Sequence, residues 1–261
     1  MRVGIQGHRR YDPRPILNRL RLDLESSWGR TGSILARSWT HAGPMLALKP
    51  QLTDGQPLRI LCVGAHCDDI EIGAGGTILR LLEEYEGAEV RWAIATSGAG
   101  RAAEARAAAE AFLGNAGRAE IVIEDFPESF LPAHWEAVKR WFFELRSGFE
   151  PDFVFGHRRG DRHQDHNALA DFAWNTFRDH RILEYEIPKY EGDLTTPNLY
   201  VPLTTAQADT KIAALLEHYG SQRDKGWFDA ETFRALMRLR GVECNSPSGY
   251  AEGFHASKLT L

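Results

Sequence analysis

Two short runs hold most of the chain's chemistry. The first is His66-Cys67-Asp68-Asp69, an imidazole, a thiol and two carboxylates in four consecutive residues. The second is the loop 157–167, HRRGDRHQDHN, with His157, Asp161, His163, Asp165 and His166. Two histidines and a carboxylate with open positions are the ligand set of a catalytic zinc or ferrous centre, where water completes the shell. Three protein ligands and water give Lewis-acid activation and a hydroxide near neutral pH. A second carboxylate beside a ligand carboxylate is well placed to take the water's proton. A further histidine three positions from its neighbour suits a developing oxyanion.

These residues act together only if the fold brings the two runs to one place. The first run follows an apolar stretch, Ile60-Leu61-Cys62-Val63, that suits a strand buried on both faces. After it come Gly73, Gly75 and Gly76, then Ile78, Leu79, Leu81 and Leu82 at helical spacing, which predicts a helix over 75–86. The pattern goes on alternating: strands at 88–96, 119–124 and 152–156, helices at 101–113, 134–147 and 166–178. Beyond 180 come weaker strands at 181–187 and 198–203, helices at 205–218 and 229–240, and a last strand within 249–258. Such alternation means an α/β fold, a mostly parallel sheet wrapped by helices on both faces. Both reactive runs follow predicted strands, and ligands in open α/β sheets lie just beyond strand carboxyl ends. The two loops are therefore expected to meet.

H-x-D-D on the first strand–helix turn, a glycine-rich helix start and H-x-D-H on a later turn together resemble the PIG-L/LmbE-type metal-dependent N-deacetylases. Other stretches agree: Arg101-x-x-Glu104, Phe126-Pro127-Glu128, Lys211, His218-x-x-Ser221-Gln222 and Tyr250-Ala-Glu-Gly-Phe254. The resemblance covers about 58–261. It implies a Rossmann-like sheet and removal of an acetyl group from an N-acetylated sugar, nucleotide sugar or glycoside. It also implies His66, Asp69 and His166 as ligands of Zn2+, with Fe2+ or another divalent metal as alternatives. By the same resemblance Asp68 is the general base and His163 the oxyanion-stabilising group, expected as an imidazolium donor. Asp165 then orients a histidine by a hydrogen bond, while Arg101 and Glu128 contact the substrate. Cys67 stands where the family usually has proline, and Glu128 where it usually has aspartate.

Composition frames this reading. Three cysteines without C-x-x-C spacing favour a reducing, cytoplasmic setting over a disulfide framework. A net charge of −5 gives no overall reason to expect nucleic acid as a partner, and no apolar run is long enough to span a membrane. Residues 1–50 carry eight Arg and Lys49 against Asp12, Asp23 and Glu25, a net of +6 that leaves −11 for the remainder. They read as a basic N-terminal arm, docked within the chain or between copies of a homo-oligomer, before a catalytic domain at 51–261.

Competing readings attach to the same residues. Asp68 and Asp69 alone could complement a helix N-terminus, His157 reads as a supporting or surface histidine, and Cys67 as a thiolate ligand. Gly73–Gly76 lacks the G-x-G-x-x-G spacing of a dinucleotide loop. Clustered Asp and His also serve two-metal phosphoester hydrolases, and a silent sugar-binding protein could keep the same fold. Substrate choice is expected to lie in loops 97–101, 125–133 and 180–205.

Overall fold

In the computed structural model, β1 (Arg59–Gly64) carries the apolar run, and every residue in it but Arg59 is buried. Ile60 and Cys62 enter one core while Leu61 and Val63 enter another on the opposite face of the sheet. A strand covered on both sides needs no polar alternation, and this one has none. The description covers residues 49–259 except 51, 53, 54 and 99. The expected basic arm, apart from its last two residues, lies outside it.

From β1 the chain runs through α1 (Asp69–Glu84), β2 (Glu89–Ile94), α2 (Ala102–Phe112) and β3 (Arg118–Ile123), stepping outward in parallel register. A 3₁₀ turn at Leu131–His134 and α3 (Trp135–Arg146) return it to β4 (Phe153–His157), which pairs with the free side of β1. Helix α4 (Gln164–Thr176) leads to β5 (Arg181–Tyr185), parallel to β4. Then follow β6 (Leu199–Leu203), α5 (Thr205–His218), α6 (Ala230–Glu243) and β7 (Tyr250–Ala256). Strand β7 lies antiparallel between β5 and β6, which completes the order β3-β2-β1-β4-β5-β7-β6. Helices α1, α2, α5 and α6 cover one face, and α3 and α4 the other. The α/β expectation is met. No helix among the described residues is long and apolar enough to cross a membrane.

The order reverses between β1 and β4. Their following helices leave to opposite faces, so a crevice opens at the two carboxyl ends. That crevice receives both reactive runs.

One boundary moves by six residues. The helix expected at 75 begins at Asp69, which brings the glycines inside it. A methyl at Gly73 would overlap the Tyr185 ring, and one at Gly75 would lie 2.7 Å from Phe112. These glycines let α1 lie close to its neighbours; they form no phosphate loop. Further along, Glu252 accepts from the amides of Gly76 and Thr77 at 2.9 and 2.7 Å. Lys211 Nζ bridges Glu252 and the Ile72 carbonyl, 2.6 Å from each. This buried pair pins α1 in place.

Candidate metal centre and active site

The β1 turn folds back on itself where the His66 amide donates to Asp69 Oδ2 at 2.7 Å. This sets the His66 ring and the Asp69 carboxylate side by side at the start of α1. Across the crevice, His163 is the N-cap of α4, its Nδ1 accepting from the Asp165 amide. His166 therefore falls on the first turn of that helix.

The loops do meet. His66 Nδ1 lies 3.1 Å from His166 Nε2, His66 Nδ1 lies 3.3 Å from Asp69 Oδ2, and His166 Nε2 lies 3.4 Å from the same oxygen. A tetrahedral cation bonded at about 2.0–2.1 Å needs donors roughly 3.3–3.4 Å apart. The triangle has that size, and all three residues are buried.

Proton placement supports the same point. His66 Nε2 faces Asp165 Oδ2 at 3.3 Å, and His166 Nδ1 faces Asp161 Oδ2 at 3.1 Å. Ionised carboxylates only accept, so those two nitrogens carry hydrogens. In neutral rings the opposite nitrogens are then lone pairs, turned toward one another and toward Asp69 Oδ2. Three acceptors meeting in a buried place need a positive charge among them. A proton is one way to supply it: although burial opposes, Asp69, Asp165 and Glu128 push the His66 pKa up to about 10. Asp69 is held well below the carboxylate range against the effect of burial, by His166, His157 and His66. A divalent cation is the other way, and the donor set fits one.

Asp165 is fully buried and accepts from the amides of Ser129 and Leu131 at 2.6 and 3.1 Å while it faces His66. The histidine it orients is thus His66, tying the 125–133 loop to the centre. Asp161 does the same for His166, a contact with no assigned role at the sequence level. Its signal was its place two residues before His163.

Asp68 stands at the N-cap of α1 but caps nothing. Its Oδ1 is 3.1 Å from Arg101 Nη2, in a pair with side chains 7% and 11% exposed. Arg101 Nε is buried without a hydrogen-bond partner. Glu128 is exposed beside Gly98, and its charge acts on both Arg101 and His66. His163 packs edge-on against His66, with ring centroids 4.8 Å apart. Its Nδ1 accepts a backbone N–H, and burial together with the charges of His166 and His66 lowers its pKa. With Nδ1 taken by that N–H, Nε2 is the nitrogen left to act as a donor, where an imidazolium was expected.

His157 is buried rather than on the surface, and stacks on His166 with centroids 3.9 Å apart. The Ala65 amide donates to its Nε2 at 2.9 Å, occupying the lone pair a metal would need. Burial and the neighbouring His166 lower its pKa to about 4. Cys67 donates its thiol to the Thr96 carbonyl, and burial first, with nearby carboxylates, pushes its pKa up to about 12. It belongs to neither cluster of side chains able to hold an ion among the described residues. Among the described residues the His/Asp clusters able to hold an ion, His66–His163–His166 and Asp69–His157–His166, share His166. They make one centre, not two.

Known proteins share the fold. No curated protein sequence matches the chain. Among solved structures, the N,N'-diacetylchitobiose deacetylase of Pyrococcus horikoshii superposes with a TM-score of 0.60 at 22% identity, covering 77% of this chain and 84% of its own. The teicoplanin deacetylase Orf2, in a zinc-inhibited form, gives 0.58 at 15% identity, covering 77% and 100%. GalB, the 4-carboxy-2-hydroxymuconate hydratase of Pseudomonas putida KT2440, gives 0.56 at 19%, covering 78% and 98%. At such identities the likeness is one of fold, and a fold shared by deacetylases and a hydratase leaves the reaction to the site. Residues 61–177, from the first strand through the second reactive run and its helix, match the family described as PIG-L, GlcNAc-PI de-N-acetylase, so the two-motif resemblance is to a family this segment does match.

Proposed function

We propose that the chain hydrolyses the N-acetyl group of an amino sugar or sugar conjugate, releasing acetate and a free amine. The observation that carries this is the triangle of acceptors from His66, Asp69 and His166. These residues would hold a divalent cation, by our reading Zn2+, which supplies Lewis acidity toward an amide carbonyl and toward water. Asp68 takes the proton of the attacking water and passes it to the nitrogen as the C–N bond breaks. Arg101 fixes that carboxylate from one side, which leaves its other oxygen for the proton. His163 offers Nε2–H to the oxygen that gains negative charge. Asp165 and Asp161 keep the ligand nitrogens of His66 and His166 deprotonated by holding the protons on the other side of each ring.

The family match and two of the neighbours support the deacetylase class. Arg101 and Glu128 give a charged donor and acceptor at one rim, which suits a polyol better than an aliphatic amide. A two-metal phosphoester hydrolase is less well supported, because one centre is all that the described residues assemble. The three cysteines are free and buried, which suits the cytoplasm.

The test is acetate release from a panel of N-acetylated sugars, nucleotide sugars and glycosides, in parent and Asp68→Asn protein. Release by the parent and its loss in the variant are expected. No release from any member, by protein that holds its metal, removes the reading.

A further inference from the structure

We infer that Lys189 is a positioning residue for the metal centre, joining it to the loop that follows β5. The inference rests on His166 as a ligand. Lys189 Nζ lies 2.8 Å from Asp161 Oδ2, the same oxygen that holds His166 Nδ1, and 2.7 Å from Asp193 Oδ1. All three side chains are under 10% exposed. Each of the two carboxylates also holds the reactive loop by its backbone. Asp161 Oδ1 accepts from the His163 amide at 2.8 Å, and Asp193 Oδ2 from the Arg162 amide at 2.7 Å. Arg158 Nη2 donates to the Asp193 carbonyl at 2.7 Å.

One ammonium therefore neutralises two buried acids, and between them those acids fix residues 162, 163 and 166. Without it, Asp161 loses its ammonium partner and Asp193 keeps only the Arg158 guanidinium, 3.7 Å from Oδ2, so two neighbouring carboxylates are left with one cation fewer between them. The histidine ligand would lose its fixed tautomer and the His163 backbone its anchor. The same bridge sets where the loop stands. Tyr190, 80% exposed, and Leu194, 43% exposed, are the neighbours in sequence of Lys189 and Asp193. Through Lys189 this exposed tip is held in a fixed relation to His166, and on the proposed function a substrate that touches it would bear on the element that orders the metal.

The experiment measures zinc affinity by competition with a chelating dye, in the absence of substrate. Lys189→Met should weaken it roughly 10-fold or more, the usual cost of losing a group that orders a ligand. Lys189→Arg, which keeps a cation between the acids, should recover most of that. In turnover, Asp193→Asn should raise KM more than it lowers kcat, because the loop is freed while Asp161 keeps its lysine. Zinc affinity of Lys189→Met within two-fold of the parent overturns the inference, as does a Lys189→Arg variant no better than Lys189→Met. Should Lys189→Met fail to fold, Lys189→Gln, which keeps a polar donor but no charge between the acids, takes its place: a several-fold loss of zinc affinity supports the inference, and a parent-like affinity overturns it. Because affinity is read without substrate, a parent inert on every acetylated sugar would refute the proposed reaction and leave this test standing.

Discussion

Two clusters of buried ionisable groups on α1 are built differently. Along the helix, Lys211 and Glu252 satisfy each other, and what each has left over goes to backbone groups at Ile72, Gly76 and Thr77. Nearby, Arg240 reaches both oxygens of Glu186 at 2.8 Å. Donors and acceptors there are matched. At the start of the helix, Asp69, His66 and His166 turn acceptors toward one another. A matched cluster explains itself as structure, since every charge taken from water has found a partner. An unmatched cluster of three acceptors calls for a positive charge among them, a proton or a cation. The difference between the two clusters locates the chemistry better than burial or the number of charged residues does.

The contrast breaks first on the metal. The parent protein should carry about one divalent ion per chain, while His66→Ala and His166→Ala lose it and turnover falls to background. Elemental analysis of the purified variants decides this, and full occupancy in both would dissolve the triad. Asp68→Asn should keep its metal and lose roughly 10²–10⁴-fold in kcat, because a base is removed and no ligand. Turnover unchanged in that variant would take Asp68 out of the reaction. Lys211→Met addresses the matched cluster. It leaves Glu252 charged and unpaired in the core, so unfolding by denaturant should show a loss of about 3–5 kcal/mol, with metal stoichiometry retained. Metal loss without a change in stability would mean the two clusters are not separate.

What the sequence discloses of this architecture follows the same division. Strand β1 and helix α5 are read within a residue or so, because an apolar run between turn signals and a capped amphipathic helix are local facts. Thr204 and Gln207 form the capping box that starts α5. The meeting of the two loops is also legible, since parallel strands must end on one edge. The glycines of α1 mislead, because their reason is the Tyr185 and Phe112 rings, which lie on distant elements. His157 carries no local sign that its Nε2 is taken by the Ala65 amide 92 residues away. Lys189 is invisible for the same cause, as one lysine in a polar loop becomes meaningful only once Asp161 and Asp193 are beside it.

His163 sharpens the comparison through pH. Its Nδ1 accepts the Asp165 amide, so protonation there would cost that contact at the start of α4, and burial with the charges of His166 and His66 lowers its pKa. A histidine whose folded pKa is depressed binds its proton more readily unfolded, so it erodes stability as pH falls below the ordinary histidine value. It does not titrate on the alkaline side. His163→Ala should thus lower kcat roughly 10²–10³-fold, as loss of an oxyanion donor does, with the alkaline limb of the rate profile unmoved. A limb that flattens in this variant would favour the imidazolium.

Arg101 carries the smallest expected effect and lies between the two kinds of cluster. One of its nitrogens is matched, by Asp68 at 3.1 Å, while its Nε is buried with no partner. The Asp68 contact is structure, and on the proposed function the guanidinium donors that Asp68 leaves free serve a substrate hydroxyl. Arg101→Ala should raise KM on an N-acetyl sugar by the equivalent of about 1–3 kcal/mol, the range for a hydrogen bond to a charged group, with metal content intact. The variant should also discriminate less between that sugar and a simple N-acetyl amine, since the lost contact is to the polyol and not to the acetamide. Arg101→Lys keeps a positive charge beside Asp68 but lacks the planar fork, so it should preserve kcat better than it preserves sugar preference. If Arg101→Ala lowers kcat and leaves the preference for sugars whole, Arg101 serves Asp68 alone, and the polyol is recognised elsewhere on the rim.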